Sequence, residues 1–196
     1  MMIAKVFSVE HSKLAYWADF GLYGVAILGL SLFLYLSGER IGPLHMVGFA
    51  LGGLVIWTFL EYALHRFVLH GLEPFKSWHA LHHLRPRALI FAPTLLSGTL
   101  IGLLIFTPTF LMSSPSRATA LTVGLLIGYL GYALTHHAIH HWTAKARWMR
   151  ARKLIHALHH SSSSSPVYFG VTSTFWDRVF GSNRKHLGQT RVPRQQ

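Results

Sequence analysis

Residues Glu61 to Arg87 read EYALHRFVLHGLEPFKSWHALHHLRPR, and five histidines in this stretch fall as H-x4-H (His65, His70) followed by H-x2-H-H (His79, His82, His83). An α-helix turns about 100° per residue, so spacings of three and four set imidazoles on one face, within reach of a common ion. The H-x2-H-H pattern is therefore a comb of ligands on a helix. Five residues amount to about 140° round an α-helix, so the helix is predicted to end or distort before His70. Two later clusters have similar spacings, H-x3-H within THHAIHH (His136, His140) and H-x2-H-H within LIHALHH (His156, His159, His160).

The chain around these clusters has 196 residues, 51% hydrophobic and 12% charged, with a mean hydropathy of +0.36. That is too apolar for an ordinary soluble domain and enough for several membrane spans. There is no cysteine, which excludes disulfides, thiolate metal sites, iron–sulfur clusters and cysteine nucleophiles. Any metal here is held by nitrogen and oxygen. The formal charge of +12 is concentrated in a few segments of a hydrophobic chain, so it reads as membrane topology, and no nucleic-acid partner is expected.

The expected fold is all-α and integral to the membrane, one domain over 1–196, with spans at about 20–38, 41–64, 90–112 and 118–140. A helical cap over 65–89 and 141–187 is predicted to hold the histidines. Tyr16 and Trp17 precede the first span as interface anchors, Glu39-Arg40 close it, and Gly42-Pro43 begin the second. Pro93, Pro108 and Pro115 flank the third. No small-residue cleavage site follows an early apolar core, so no signal peptide is expected. Lys5, Lys13, Lys76, Arg85, Arg87 and the ten basic residues from Lys145 to Arg194 would share one side, against Arg40 and Arg117 on the other. By the positive-inside rule both termini are cytoplasmic, in a bacterial inner membrane or an equivalent one. The same topology brings all four histidine clusters to the cytoplasmic face, although the charge count uses none of them.

A single histidine at a membrane interface is ordinarily a polar anchor rather than a ligand. Ten in four clusters are different, because buried imidazoles at that density are costly without a shared partner, and ten nitrogens exceed the needs of one ion. His11, His45 and His186 stand outside the spacing and read as structural or surface residues. His137 and His141 lie one residue off the His136/His140 face and read as packing groups or as support for the ligands. Glu61, one turn before His65, reads as a hydrogen-bond partner of a ligand histidine, foremost, or as a partner in the neighbourhood of Arg66. Imidazole suits iron, zinc, copper and nickel alike. Redox-active iron would give oxygen activation, and zinc hydrolysis or structure. At the ends of apolar helices, with a lipid tail available from the bilayer, the combination points to oxidation of an unreactive lipid carbon.

In its order of clusters the chain resembles the fatty acid hydroxylase and sterol desaturase superfamily of integral-membrane di-iron enzymes. The resemblance runs from about Trp57 to Gly181 and is closest to the fatty acid 2-hydroxylases, through EYALHRFVLH, WHALHHLRPR, YALTHHAIHH and LIHALHH followed by FGVTSTFWDRVFG. It implies that His65, His70, His79, His82, His83, His136, His140, His156, His159 and His160 bind two iron ions, with zinc able to replace them in purified protein. No catalytic group beyond the metal ligands is implied. The implied reaction is dioxygen-dependent hydroxylation of a C–H bond in a membrane lipid, foremost a fatty acyl chain. A carotenoid ring hydroxylase and a sterol desaturase are the neighbouring readings within this chemistry, and a zinc-binding membrane protein without redox function is the reading outside it. The third block departs from the 2-hydroxylase pattern: Ala133 stands where an aspartate usually precedes the histidine pair. Relatives often carry a fused haem domain; the residues before Phe20 are too few for one, so a separate electron-donor protein is expected.

Three further stretches carry weaker signals. Arg147, Arg150, Arg152 and Lys153 form a basic run that would suit an acidic redox partner or anionic lipid head groups, with topology alone as the simpler account. Ser161 to Ser165 reads as a solvated loop or a lid. Phe175 to Gly181 reads as a short amphipathic helix with a glycine stop, its aromatic face packed on the core, on the membrane or over the metals.

Overall fold

A computed structural model describes residues 10–37, 42–90, 94–161 and 166–183. The expected turn at Glu39-Arg40, Pro93, most of the serine run and His186 lie outside these residues. Among the described residues the chain is helical throughout, and its β-structure is limited to one isolated bridge between Glu10 and Ile90. Helix α1 is Lys13–Leu36, α2 is Pro43–Ala63, and a π-helical turn, Leu64–Leu69, continues α2. Helix α3 is Phe75–Leu84; α4, Thr94–Ile101, passes through a second π segment, Gly102–Phe106, into α5, Thr107–Met112. Helix α6 is Pro115–His141, α7 is Arg147–Ser161 and α8 is Phe175–Val179.

Among the described residues three helices are long and apolar enough to cross a membrane: Lys13–Leu36, Pro43–Leu69 and Pro115–His141. The third expected span, 90–112, is helical from Thr94 through Met112, with residues 91–93 outside the described ones. It is also irregular, for a physical reason. Pro108 has no N–H to offer the preceding turn, and the strain is absorbed by the π segment, with the Thr107 hydroxyl donating to the Gly102 carbonyl at 2.9 Å. The apolar outer faces, such as Leu22, Val25 and Leu28 on α1, are exposed, as expected of surface that meets lipid tails.

Helices α2 and α6 run side by side in the same direction, since Ala50 meets Gly124, Gly53 meets Leu125 and Trp57 meets Gly128. A Cβ on Gly124 would lie 1.7 Å from the Ala50 carbonyl oxygen and one on Gly53 1.9 Å from that of Leu121, so only glycine lets these backbones approach. Parallel alignment delivers the C-terminal ends of both helices, with His65 and His136, to the same side. Helix α1 packs antiparallel on α6, with Tyr23 against Tyr129 and Tyr16 against His137. Tyr23, Trp57, Leu125, Leu126 and Tyr129 form the core between the three helices. Helix α1 is also tied to α4: the Thr94 hydroxyl donates to the Asp19 carboxylate, and Tyr23 shares a 2.7 Å hydrogen bond with Ser97.

Candidate metal centre

The H-x4-H pair is reconciled by the π turn. The His70 N–H donates to the His65 carbonyl at 3.2 Å, five residues back, and this wider turn restores the two imidazoles to one face with ring centroids 5.2 Å apart. The sequence required a distortion here; its form is a π-helix. Helix α3 presents His79, His82 and His83 within two turns. Glu73 starts it by accepting from the Ser77 N–H and hydroxyl, at 3.2 and 2.6 Å, and Pro86 prevents its continuation. The last turns of α6 and α7 present His136 and His140, and His156, His159 and His160.

These side chains assemble into two nitrogen-lined groups, one of His65, His70, His79, His83 and His159, the other of His82, His136, His140 and His156. Within the first, Nε2 atoms stand 2.9 Å apart for His65 and His79, 3.0 Å for His79 and His83, and 3.1 Å from His159 to both His70 and His83. Within the second, His140 Nε2 is 3.2 Å from that of His136 and 2.9 Å from that of His156. His160 borders the second group, its Nε2 2.9 Å from that of His156, and its ring stacks on His83 at 4.2 Å. All ten sequence-predicted ligands thus converge on one face.

The arrangement makes poor sense as a hydrogen-bonded network and good sense as a cation site. His65 Nδ1 donates to the Phe169 carbonyl at 2.6 Å and His159 Nδ1 to that of Val167 at 2.9 Å. In the neutral tautomer this leaves the Nε2 of each as a bare lone pair, aimed at other Nε2 atoms. Both nitrogens of buried His82 lack any hydrogen bond among the described residues. This separation matches that of neighbouring ligands around an ion with bonds of about 2.1 Å, which is about 3 Å. Burial, reinforced by neighbouring imidazoles, lowers the ring pKa of His82 to about 2 and of His70 and His160 to about 4; those of His79, His83, His156 and His159 are lowered too. The rings are neutral at physiological pH, the state a metal needs.

A pH dependence follows. His70 and His160 bind protons in the unfolded chain near pH 6.5 but in the folded chain only near 4, so the unfolded state holds more protons between these values. Stability of metal-free protein is expected to fall as pH drops from about 6.5 toward 4, and to go on falling below 4, where His82 still resists protonation in the folded chain. Thermal unfolding in detergent across that window checks it, and a stability that rises on acidification contradicts it.

The first group is held from outside by a loop that sequence reasoning did not resolve. Asp177, fully buried, accepts from the Phe169 and Gly170 N–H groups at 2.8 and 2.9 Å and from the Ser182 hydroxyl at 2.8 Å. Glu61 accepts from the Val171 and Thr172 N–H groups at 2.7 and 2.8 Å and from the Thr172 hydroxyl at 2.5 Å. Glu61 therefore touches no histidine, contrary to the direct hydrogen bond expected. It acts one step further out, by holding the loop whose carbonyls orient His65 and His159. Gly170 is required there, because a Cβ would lie 1.9 Å from the Ser173 carbonyl oxygen. Helix α8 follows the loop and lies against α2: Trp176 donates to the Thr58 hydroxyl at 3.1 Å and Phe180 stacks on Tyr62 at 5.3 Å, while Phe175 and Val179 are exposed, and Gly181 ends the element at φ +69°. His137 and His141 stack on each other at 4.4 Å, and His137 Nδ1 lies 3.0 Å from the Tyr16 hydroxyl. They join α1 to α6 and stand outside both nitrogen groups, whereas His45 is exposed.

A cavity of about 360 Å³ runs from the apolar helices to this centre. Phe20, Trp57, Leu60, Leu100, Leu104 and Leu125 wall its membrane part, and His65, His79, His82 and His136 line its other end. It therefore reaches both nitrogen groups. Ala133 lines it too; the carboxylates that face it come from Glu61 and Asp19.

The sequence matches a family model described as fatty acid hydroxylase over residues 50–182. It is 35% identical over 141 residues to a dihydroceramide fatty acyl 2-hydroxylase of Arabidopsis thaliana, covering 66% of this chain and 58% of that protein. It is 31% identical over 153 residues to a ceramide very long chain fatty acid hydroxylase of Schizosaccharomyces pombe, covering 69% and 42%. Among solved structures, full-length scs7p, in which only the hydroxylase domain is visible, aligns with a TM-score of 0.74 at 26% identity over 90% of this chain and 68% of that one. The chain spans less than two thirds of the length of the Arabidopsis and Schizosaccharomyces relatives. With the family match covering well over half of its residues and the histidine clusters inside the matched region, the chain belongs to the fatty acid hydroxylase family.

Proposed function

We propose that this protein is a membrane oxidoreductase that hydroxylates a C–H bond in the acyl chain of a lipid, using dioxygen and two iron ions. The observation that carries the reading is the apolar cavity whose histidine-lined end touches both nitrogen groups. An apolar cavity of this size suits a hydrocarbon chain. His65, His70, His79, His83 and His159 would hold one ion, and His82, His136, His140 and His156, with His160 beside them, the other. Bound there, iron supplies dioxygen binding and one-electron chemistry. The protein's own residues do the rest. Phe169 and Val167 carbonyls hold His65 and His159 in the tautomer that presents Nε2, while Trp57, Leu60 and Leu125 exclude water from the chain's path.

On this reading residues 1–196 form a single domain of four membrane-crossing segments, the irregular Leu96–Met112 segment completing the bundle, with a cytoplasmic cap over 65–89 and 141–187 and both termini in the cytoplasm. The reaction consumes dioxygen, two electrons and two protons per hydroxyl formed, the second oxygen leaving as water. A separate electron-donor protein supplies the electrons, and the exposed Arg147 and Arg150 of α7, the helix that carries three of the histidines, suit an acidic donor. Iron-loaded protein in lipid bilayers, given a chemical reductant and isotopically labelled dioxygen, is expected to place one labelled oxygen in an acyl chain. Dioxygen-independent products, or none across acyl lipids with the iron retained, would contradict the proposal.

A further inference from the structure

Asp19 is a carboxylate inside a membrane-spanning helix, 5% exposed, with its side chain on the wall of the apolar cavity. It lies outside the residues matched by the family, 50–182. Such a group is expensive in an apolar setting and is kept where it has a task. Tying α1 to α4 does not account for it. That tie uses one oxygen, Oδ1, through the Thr94 hydroxyl, and Tyr23 with Ser97 already joins the same two helices. Oδ2 accepts no hydrogen bond among the described residues.

The cavity itself has a deficit that Asp19 can supply. A wall of leucine, isoleucine and aromatic side chains holds a hydrocarbon chain but cannot distinguish one methylene from the next, because apolar contact is not directional. Oxidation at one carbon requires a polar anchor at a set place along the cavity, and specificity in such pockets ordinarily rests on a few placed polar groups. Away from the histidine end and Glu61, which is committed to the loop, the polar side chains on the wall are few, and Asp19 is the carboxylate among them. The oxygen that Thr94 leaves free can accept a hydrogen bond.

We propose that Asp19 sets the register of the lipid: its carboxylate accepts a hydrogen bond from an amide N–H or a hydroxyl of the lipid, and thereby fixes which carbon lies against the histidines. The ligand class is an acyl lipid carrying a hydrogen-bond donor. This rests on the acyl-oxidation reading above.

The test is binding to full-length, metal-loaded protein in nanodiscs without reductant, using three probes: N-palmitoyl sphinganine, its N-methyl amide, and its O-methylated form. The wild-type protein is expected to bind the parent lipid about tenfold more tightly than whichever analogue lacks the donor, the worth of one hydrogen bond to a charged group. Loss with the N-methyl amide assigns the donor to the amide, and loss with the O-methylated form to a hydroxyl. D19N preserves side-chain size and can still accept from Thr94, and it is expected to erase the preference by weakening the parent lipid alone. Equal binding of all three probes by the wild type overturns the proposal, and so does a D19N variant that keeps the preference or loses affinity for every probe alike. A probe bound through Asp19 that is never oxidised when reductant and dioxygen are added would sink the hydroxylase reading and leave this one. Oxidation of acyl chains without donor preference would do the reverse.

Discussion

Replacing His159 by alanine is expected to lower bound metal from two ions per chain to one and to reduce lipid oxidation below about a hundredth of wild type, beyond the 10–100-fold that loss of an outer partner costs. His159 is fully buried, its Nε2 is 3.1 Å from those of both His70 and His83, and its Nδ1 donates to Val167. The substitution removes a central nitrogen of the five-histidine group and orphans the Val167 carbonyl, but leaves His82, His136, His140 and His156 untouched. The surviving ion should therefore sit in the second group. Metal analysis together with turnover checks this, with H45A as the control: exposed His45 lies far from either group in sequence and role, so its loss should change neither quantity. Full metal content and activity in H159A would remove His159 from the ligand set.

The second large effect belongs to a residue that meets no histidine. D177N exchanges an acceptor pair for one acceptor and one donor, so an NH2 group must face an N–H or hydroxyl already aimed at it from Phe169, Gly170 or Ser182. Each buried group left without its partner costs about 1–3 kcal/mol. The loop then loses its anchor, and with it the carbonyls that orient His65 and His159. Metal affinity of the first group is expected to fall by about 10–100-fold, while the second group, whose histidines make no hydrogen bond to the loop among the described residues, keeps its ion. Titration of metal release against a chelator reads the two groups separately. Equal weakening of both, or of neither, would show that the loop does not act through His65 and His159.

These two residues also mark how far the chain could be read before its structure. His159 was legible because helical spacing is a local property: three and four residues make a face, and composition places that face at a membrane surface. The π turn was half legible, since His65 and His70 demand a distortion but several distortions would serve. Asp177 was not legible. In sequence it is one charged residue in a short amphipathic element, and its importance comes from a reverse path of the chain that lays residues 167–172 beside α2. Glu61 was noticed for the wrong partner for the same reason, because its neighbour one turn along the helix is His65, whereas the loop that it holds is more than a hundred residues away. The irregular 94–112 segment shows the opposite case. Apolar content suggested a continuous span, and Pro108, though visible, did not by itself say that a π segment would precede it.

The most direct test of the central claim is the metal content of protein purified from cells grown on iron-57, without metal-affinity resin, measured together with its Mössbauer spectrum. Two irons per chain in a coupled pair is the predicted result, since the nitrogen groups adjoin through the stacked rings of His83 and His160. Zinc alone, retained after iron feeding and leaving the protein inactive after iron reconstitution, would contradict the oxygenase account and reduce the family likeness to one of fold.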